Sequence, residues 1–200
     1  MNFVRMFLWA LVAVSAAFFA YMAVNLHKSD QQVAGNSAVS NIGGPFDLVR
    51  HDGSSISYDD VKGAHHAIFF GFTNCPDICP GTLLHASKWL QELGDDADQV
   101  KFYFFSVDPE RDTPSVLSDY VNAFDSRITG ITGDPKKVRD AISAYRVYAK
   151  RVDLDDGDYT MDHQASVMLF RPGGDFVGTI SYNEPEDMAL GKLRKLLNNS

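Results

Sequence analysis

The feature that most constrains this chain is a pair of cysteines, Cys75 and Cys79, that directly follows an apolar, strand-like run. They are the only two cysteines among 200 residues, and the surrounding segment reads FFGFTNCPDICP over 69–80. In a helical or near-helical turn, positions i and i+4 share one face, with their Cβ atoms about 5–6 Å apart. Two thiols placed in this way can close a disulfide or bind one metal ion together. The spacing therefore predicts a functional dithiol.

A structural role for the two cysteines is the alternative, either as a disulfide staple or as buried, inert thiols. A staple from Cys75 to Cys79 would close a very short loop, and the stabilisation from loop closure grows with the length closed. Pro80 fits the first helical position, because it lacks an N–H and has a fixed φ. We therefore expect a helix from Pro80 onward, with both cysteines in the turn before it. Free N–H groups and the helix dipole there would favour the thiolate.

The first 40 residues read as a membrane anchor and a tether. Residues 6–26 contain no charged side chain, and about 20 apolar residues are enough to span a bilayer as a helix. A cleaved signal peptide, with a shorter apolar region, is the alternative interpretation. Arg5 would keep residues 1–5 on the cytoplasmic side, and the polar residues 27–40 would form a flexible tether. The sequence thus predicts a single-pass protein of the bacterial inner membrane, with a domain over 41–200 in the periplasm.

The predicted domain is acidic. The whole chain has 18 basic and 26 acidic residues, and only Arg5, Lys28 and Asp30 among them lie before residue 41. The remainder keeps 16 basic and 25 acidic side chains, which is a net charge of −9. Such a domain would repel nucleic acid and anionic lipid, and it would attract cations or a basic partner. We therefore expect no nucleic-acid partner, and contact with the membrane only through the N-terminal helix.

Strand and helix patterns alternate along the domain. Asp52 and Gly53 lie between two alternating apolar runs and predict an N-terminal hairpin. Continuous apolar runs over 67–72 and 101–107 predict buried central strands. The remaining predicted elements are helices over 80–93, 114–124, 135–150 and 185–197 and strands over 128–131, 167–169 and 176–180. This order, with a dithiol after the first central strand, predicts an α/β three-layer, thioredoxin-like fold with an extra N-terminal β-hairpin.

A third metal ligand is expected, because two thiolates rarely complete a metal site alone. His163 is favoured, since it precedes the strand through Val167, and in thioredoxin-like folds the loop entering that strand packs against the dithiol turn. A half-exposed loop histidine is the alternative, and Asp162 could either orient the ring or face solvent. The other histidines are predicted elsewhere: His27 in the tether, His51 in the hairpin turn, His65 and His66 at the far end of the central strand, and His85 on the opposite face of its helix.

Two thiolates and one imidazole form a soft donor set of low coordination number. Soft sulfur ligands select Cu(I), and imidazole suits copper in either oxidation state. Zinc accepts the same donors but usually binds a fourth, so it is an alternative. The acidic stretch 153–158 has its glycine one position too early for a calcium loop and lacks the final glutamate. It is predicted to be a solvated loop, with docking of a basic partner as the second interpretation.

Three motifs in this order are similar to the signature of the Sco family. They are GFTNCPDICP over 71–80, DPERDTP over 108–114, and the pair Asp162-His163. The resemblance covers about residues 41–200, and the predicted anchor upstream also suits the family. Many relatives have a histidine where this chain has Asn74. That difference affects no expected ligand, but it leaves the role of Asn74 open, as it is for Asp77 and Asp162.

The resemblance implies a function, because Sco proteins are membrane-anchored copper chaperones for cytochrome c oxidase. It implies that Cys75, Cys79 and His163 bind one copper ion per monomer, as Cu(I) or Cu(II), and that the cysteines cycle between dithiol and disulfide. The implied partner is the binuclear copper site in subunit II of the oxidase, which receives copper or has its cysteines kept reduced. Other periplasmic copper carriers or thiol reductases are further implied partners.

An enzyme on the same fold is the competing interpretation. A periplasmic thiol–disulfide oxidoreductase would use both cysteines, and a thiol peroxidase would use Cys75 as the attacked thiolate and Cys79 as the resolving thiol. The cysteines are one residue further apart than in standard oxidoreductases. The strand after His163 also lacks the proline that those enzymes normally place opposite the dithiol, and no arginine lies in the dithiol motif. We therefore predict a metallochaperone, with a periplasmic thiol–disulfide oxidoreductase or thiol peroxidase that uses Cys75 and Cys79 as the alternative.

Overall fold

The computed structural model describes residue 9 and residues 42–198. The predicted membrane segment 6–26, apart from Trp9, and the predicted tether 27–40 lie outside the described residues. Within the part of the chain that is described, no helix is both long and apolar enough to cross a membrane. Residues 42–198 contain the alternating strands and helices that the sequence predicts, and they are described below.

Seven strands form the main sheet. They are β1 Asp47–Arg50, β2 Ser55–Ser57, β3 His65–Gly71, β4 Val100–Ser106, β5 Ile128–Thr132, β8 Ser166–Arg171 and β9 Asp175–Ser181. Their order across the sheet is β2-β1-β5-β4-β3-β8-β9. The central strands β3, β4 and β5 run parallel, and the flanking strands pair antiparallel. Two further strands, β6 Ala149–Asp153 and β7 Tyr159–His163, form a separate antiparallel hairpin.

Helices connect the strands and begin where the sequence offers caps. The described α-helices are α1 Tyr58–Lys62, α2 Ile78–Glu92, α3 Pro114–Asn122, α4 Pro135–Ala144 and α5 Glu186–Asn198, and a 3₁₀ helix spans Gly94–Gln99. Thr113 accepts a hydrogen bond from the Val116 N–H, and Pro114 opens α3 as predicted. Asp134 caps α4 in the same way through the N–H groups of Lys136 and Lys137. Helices α2 and α5 lie in contact with each other.

The core is centred on β3 and β4, which are buried over almost their full length. Both strands are apolar on both faces, as expected for parallel strands covered on two sides. The rings of Phe70, Phe105 and Tyr145 pack with centroids 5.1 to 5.9 Å apart. Aromatic packing of this kind buries large areas and favours defined ring geometries. The carboxyl end of β3, from which the cysteine turn begins, is therefore firmly held.

The N-terminal hairpin that Asp52 and Gly53 predict is confirmed. Strands β1 and β2 pair antiparallel around it. Gly53 has φ +85°, which a residue with a Cβ rarely adopts, and its N–H donates to the Arg50 carbonyl at 2.9 Å. The C-terminal hairpin of β8 and β9 is confirmed as well.

The predicted start of the helix after the cysteines is wrong. Helix α2 begins at Ile78, so Cys79 lies inside its first turn and only Cys75 lies in the turn before it. Pro80 occupies the third helical position instead of the first. The first N–H groups of a helix have no intrahelical partner, so a proline there loses no hydrogen bond. The first turn tolerates proline at more than one position, which is why Pro80 located this helix only to within two residues.

The predicted helix over 135–150 is also too long. Helix α4 ends at Ala144, and Arg146 adopts a left-handed conformation with φ +55°. Ala149, expected on the inner face of this helix, is instead the first residue of β6. Neither β6 nor β7 is predicted from the sequence. The strand β6 is exposed along most of its length, so it shows no apolar alternation that would reveal it.

Candidate metal centre

Three segments of the chain converge beside the carboxyl end of β3. Cys75 lies in the turn after β3, Cys79 in the first turn of α2, and His163 at the end of β7. Their two sulfur atoms and one imidazole nitrogen lie within 4.8 Å of one another. Donors to one metal ion, with bonds of about 2.0 to 2.3 Å, lie at most roughly 4.6 Å apart. The group therefore needs only a small adjustment to bind one ion, and it is the only such His, Cys, Asp or Glu group found in the described part of the chain.

Gly71 leaves the space that Cys79 occupies. A Cβ atom at position 71 would lie 2.8 Å from Cys79 Sγ and 2.7 Å from Phe104 Cε2. The sulfur of Cys79 thus packs against the backbone of β3, and the residue is fully buried. Cys75 is half-buried, and its N–H donates to the Phe72 carbonyl at 3.3 Å. One thiol of the pair is therefore accessible and the other is not.

A buried carboxylate holds the cysteine turn against the main sheet. Asp112, which is fully buried, accepts hydrogen bonds from the Thr73 hydroxyl and the Ser106 hydroxyl, both at 2.6 Å. It also accepts from the Thr73 N–H at 3.2 Å. Burial raises the pKa of Asp112, against the lowering effect of the bonds from Ser106 and Thr73. Because Thr73 lies two residues before Cys75, this network fixes where the turn leaves β3.

The imidazole of His163 is oriented by a backbone carbonyl and by two aromatic rings. Its Nδ1 lies 3.1 Å from the Gln164 carbonyl oxygen, and its Nε2 lies 3.5 Å from Cys79 Sγ. The rings of Phe69 and Phe72 pack edge-on against it, at centroid distances of 6.1 and 5.7 Å. A carbonyl can only accept, so Nδ1 carries the proton in the neutral ring. The lone pair of Nε2 then points toward the thiols, which is the tautomer that a metal requires.

The two thiols have opposite acid strengths. The pKa of Cys75 lies well below its usual range, first because the Cys79 thiol donates to its sulfur, and further through the N–H groups of Asp77 and Cys79. The pKa of Cys79 is raised, because its proton is shared with Cys75 and because it is buried. The pair therefore holds one negative charge at neutral pH, on the accessible sulfur. The N–H groups at the start of α2 contribute, as the sequence suggested.

The other histidines of the described residues lie away from this centre, as expected. His51 accepts from the Gly130 N–H at 2.9 Å, beside the first hairpin. His66 is buried near the amino end of β3, where it stacks on Phe170. His85 stacks on Trp89 along α2. His65 belongs to β3, and His27 lies outside the described residues.

Asp162 does not orient the histidine. It is exposed and lies opposite Lys150 in the hairpin, and the carbonyl of Gln164 takes the position proposed for it. Asn74 and Asp77 are exposed as well, and Asp77 precedes α2 without capping it through its side chain. The acidic stretch 153–158 is exposed throughout. None of these side chains joins the group of metal donors.

Two features that build the centre were not predicted from the sequence: the role of Asp112 and the hairpin of β6 and β7. Asp112 belongs to the motif over 108–114, but its hydrogen-bond partner Thr73 is 39 residues away, and no local sequence pattern predicts this bond. The hairpin that carries His163 has no sequence signal apart from Gly157 between two polar strands. Gly157 has φ +86°, as expected of a turn residue.

The model of the SCO1/SenC protein family matches residues 34–198. The chain belongs to the SCO1/SenC family. Its solved relatives include the Bradyrhizobium japonicum ScoI with copper bound, which is 43% identical with a TM-score of 0.73 over 78% of this chain and 99% of that one. The mixed α/β, thioredoxin-like fold predicted from the sequence is thereby confirmed.

Curated Sco relatives are similar over most of this chain. The mitochondrial protein SCO2 of Saccharomyces cerevisiae is 34% identical over 194 residues, which are 93% of this chain and 64% of the relative. The mitochondrial SCO1 homolog 1 of Arabidopsis thaliana is 36% identical over 147 residues, 73% of this chain and 44% of the relative. The chain therefore spans less than two thirds of the length of these two Sco proteins.

Proposed function

We propose that this chain is a copper-binding metallochaperone that works in the assembly of cytochrome c oxidase. The observation that carries the proposal is the convergence of Cys75, Cys79 and His163, in a family with a solved copper-bound member. Two thiolates favour Cu(I), and the imidazole supports either oxidation state of copper. Three protein donors suit one copper ion per monomer, whereas a structural zinc site would normally bind a fourth.

Transfer of the ion is proposed to occur by ligand exchange. His163 and Cys75 are half-buried, whereas Cys79 is fully buried. An incoming ligand therefore reaches the accessible side first, His163 releases the ion first, and Cys79 holds it longest. The proposed receiver is the binuclear copper site in subunit II of the oxidase. Other periplasmic copper carriers would load the dithiol with copper, or thiol reductases would reduce its disulfide.

The proposed location is the bacterial inner membrane. Residues 6–26 would anchor the chain, residues 1–5 would face the cytoplasm, and residues 27–40 would tether the domain over 41–200 in the periplasm. The uncharged apolar run supports this placement. A tethered domain searches a small volume near the membrane, where an oxidase subunit with a membrane-surface copper site would be met at high effective concentration.

Thiol–disulfide reduction is a second candidate function, favoured by the unequal thiols. Cys75 is accessible and has a lowered pKa, whereas Cys79 is buried and keeps its proton. The Cys75 thiolate would attack a partner disulfide, release one partner thiolate and form a mixed disulfide. Cys79 would then lose its proton and displace the second partner thiolate. In the whole exchange the dithiol of this chain loses two electrons and becomes a disulfide, and the disulfide of the partner gains them and becomes a dithiol.

The first test is the copper stoichiometry of the full chain, loaded with Cu(I) in the reduced form. The Cys75→Ser, Cys79→Ser and His163→Ala variants are compared with His85→Ala, a histidine on α2 outside the centre. We expect one tightly bound copper in the parent chain and in the His85 control. Either cysteine variant should lose it, and His163→Ala should weaken it by at least tenfold. Absence of copper binding, together with rapid exchange with a protein disulfide, would instead establish the reductase.

The protonation states of the two thiols predict how many protons are released when Cu(I) binds. Because Cys79 keeps its proton and Cys75 does not, Cu(I) binding should release about one proton from the pair. The apparent affinity should therefore rise with pH, by about tenfold for each unit near neutrality. Titration of Cu(I) into weakly buffered protein would count the protons directly. Release of two protons would show that both thiols are protonated in the metal-free chain.

A further inference from the structure

The hairpin that carries His163 is not hydrogen-bonded into the main sheet. Strands β6 and β7 pair only with each other, so no strand pairing links them to β3, which leads to the cysteines. The chain joins His163 to β8 through two residues, and the Gln164 carbonyl and two aromatic rings orient its imidazole. The rest of the hairpin is positioned by side-chain contacts. Several of these contacts converge on Tyr159, at the other end of β7.

Tyr159 and His163 are four residues apart in one strand, so their side chains leave the same face. The Tyr159 hydroxyl donates to Oδ1 of the buried Asp108 at 2.9 Å. The guanidinium carbon of Arg111 lies 3.4 Å from the centroid of the Tyr159 ring, and Arg111 Nη1 donates to the Tyr159 carbonyl at 2.9 Å. Arg111 also pairs with Asp158, the residue before Tyr159. One arginine thus binds the ring, the backbone and the neighbouring carboxylate.

A second arginine lies over the same ring. The guanidinium carbon of Arg151, from β6, lies 3.7 Å from the Tyr159 centroid, and its Nη1 lies 3.7 Å from the Glu110 carboxylate. Cations over an aromatic face are attracted by the ring quadrupole, and a planar guanidinium also stacks on it. Arg111, Tyr159, Arg151 and Asp108 together are called the Tyr159 clamp below. The clamp joins both strands of the hairpin to the loop after β4.

The loop that binds the hairpin also binds the cysteine turn. Asp112, next to Arg111 in sequence, accepts the hydrogen bonds from Thr73 that fix the turn. The short segment 108–112 therefore contacts both halves of the metal centre. The buried carboxylate of Asp112 holds the cysteine turn, and the guanidinium of Arg111 holds the hairpin with His163.

We propose that Arg111 and Tyr159 are positioning residues that set the distance between His163 and the two thiolates. This inference rests on the proposed function, because it concerns the same copper site. The two thiolates alone can hold Cu(I), whereas Cu(II) depends more strongly on the imidazole. Loosening the clamp should therefore lower Cu(II) affinity by about tenfold to a hundredfold, as for other residues that orient a metal ligand. The affinity for Cu(I) should fall by much less.

The test compares clamp variants of the full chain with one matched control variant outside the clamp. Arg111→Gln removes the stacked guanidinium, and Arg111→Lys keeps the charge but loses the planar fork. Tyr159→Phe keeps the ring beside both arginines but loses the hydrogen bond to Asp108. Arg139→Gln is the matched control, because Arg139 is an exposed arginine that lines the same cavity of about 470 Å³ as Tyr159. His163→Ala gives the value expected when the imidazole is absent.

Three readouts are measured: the affinities for Cu(I) and Cu(II), the imidazole nitrogen signal in the pulsed EPR spectrum of the Cu(II) form, and the Tm of the metal-free chain. We expect Arg111→Gln and Arg111→Lys to approach His163→Ala in Cu(II) affinity and to weaken or change the nitrogen signal. Tyr159→Phe, which loses only the hydrogen bond to Asp108, should fall between the parent and Arg111→Gln, and Arg139→Gln should be unchanged. Such a pattern, with Tm close to the parent, supports positioning.

Other outcomes separate the two proposals. If His163→Ala weakens copper binding but Arg111→Gln does not, the positioning role is overturned and the copper site stands. If Arg111→Gln lowers Tm and weakens both ions equally with an unchanged nitrogen signal, Arg111 has only a structural role and the inference is overturned. If His163→Ala itself leaves Cu(I) and Cu(II) binding unchanged, the proposed three-donor site fails first.

Discussion

The two halves of the metal centre are held in different ways. The cysteine turn is attached to the central sheet by the buried Asp112, whose bonds to Thr73 and Ser106 are shielded from water. The hairpin with His163 is attached mainly by Arg111, Arg151 and Tyr159, which are partly or largely exposed. In the described part of the chain, its one bond to a buried carboxylate is that of Tyr159 to Asp108. Exposed ion pairs contribute little to stability, whereas buried polar networks are costly to break.

This difference suits the proposed function, in which the site both holds and releases an ion. The dithiol side supplies a fixed pair of sulfur donors, one of them packed against Gly71. The histidine side is joined by contacts that can loosen without unfolding the core. Local stability differs across a structure, and moving ligands are drawn from its less stable parts. The predictions below test whether the contrast between the two halves is real, beginning with the largest effect.

Replacing Asp112 should have the largest effect on stability. The Asp112→Ala variant leaves the Thr73 N–H, the Thr73 hydroxyl and the Ser106 hydroxyl without their acceptor inside the protein. We expect the free energy of unfolding to fall by about 3 kcal/mol or more, measured by urea denaturation. Asp119→Ala, an exposed acid on α3, is the control and should stay within about 0.5 kcal/mol. Equal losses of stability in the two variants would show that the buried Asp112 network does not hold the cysteine turn more firmly than exposed contacts do.

A histidine within the main sheet should make stability depend on pH. His66 is fully buried, its Nδ1 lies 2.8 Å from the Ala64 carbonyl, and burial lowers its pKa to about 4. In the unfolded chain its pKa returns to about 6.5, so the unfolded state binds the proton more readily. The stability that neutral His66 contributes is present above pH 6.5 and is lost as the pH falls toward 4.

The size of this loss is roughly 3 kcal/mol, since one pKa unit corresponds to about 1.4 kcal/mol. Urea denaturation at pH 7.5, 5.5 and 4.5 would measure it. His66→Leu removes the titrating group and should flatten this part of the pH profile. A profile that keeps its slope in the variant would assign the effect to other groups.

Adding one methyl group at Gly71 should disturb the fixed half of the centre. The new Cβ would lie 2.8 Å from Cys79 Sγ, so the sulfur or the strand must shift. We expect Gly71→Ala to cost about 1–3 kcal/mol in unfolding free energy and to weaken Cu(I) binding. Gly191→Ala is the matched control within α5, where the Cβ meets no atom within 4 Å. It should stabilise the chain by up to about 1 kcal/mol, and a shared sign for both variants would contradict the close packing at Gly71.

Much of the fold could be predicted because its signals are local. Continuous apolar runs identify β3 and β4, Thr113 and Pro114 mark the start of α3, and Asp52-Gly53 marks the first hairpin. The errors arose where local signals were weak or ambiguous. Pro80 is tolerated at several positions of the first helical turn, and β6 is exposed, so it lacks an apolar period.

The donor chemistry of the site could be predicted from the amino-acid sequence, which has only two cysteines, offset by four residues, and a histidine in a recognisable motif. These are identities and spacings, which require no knowledge of distant contacts. The folded structure was needed to show that Cys79 is the buried thiol and that the Gln164 carbonyl orients His163. It was also needed to show that Asp112 and Arg111 hold opposite sides of the centre. The hydrogen bonds of Arg111 and Asp112 join residues 48 and 39 positions apart, and no local pattern predicts such pairs. The bond between His163 and Gln164 joins neighbours, but the sequence does not show the backbone conformation that forms it.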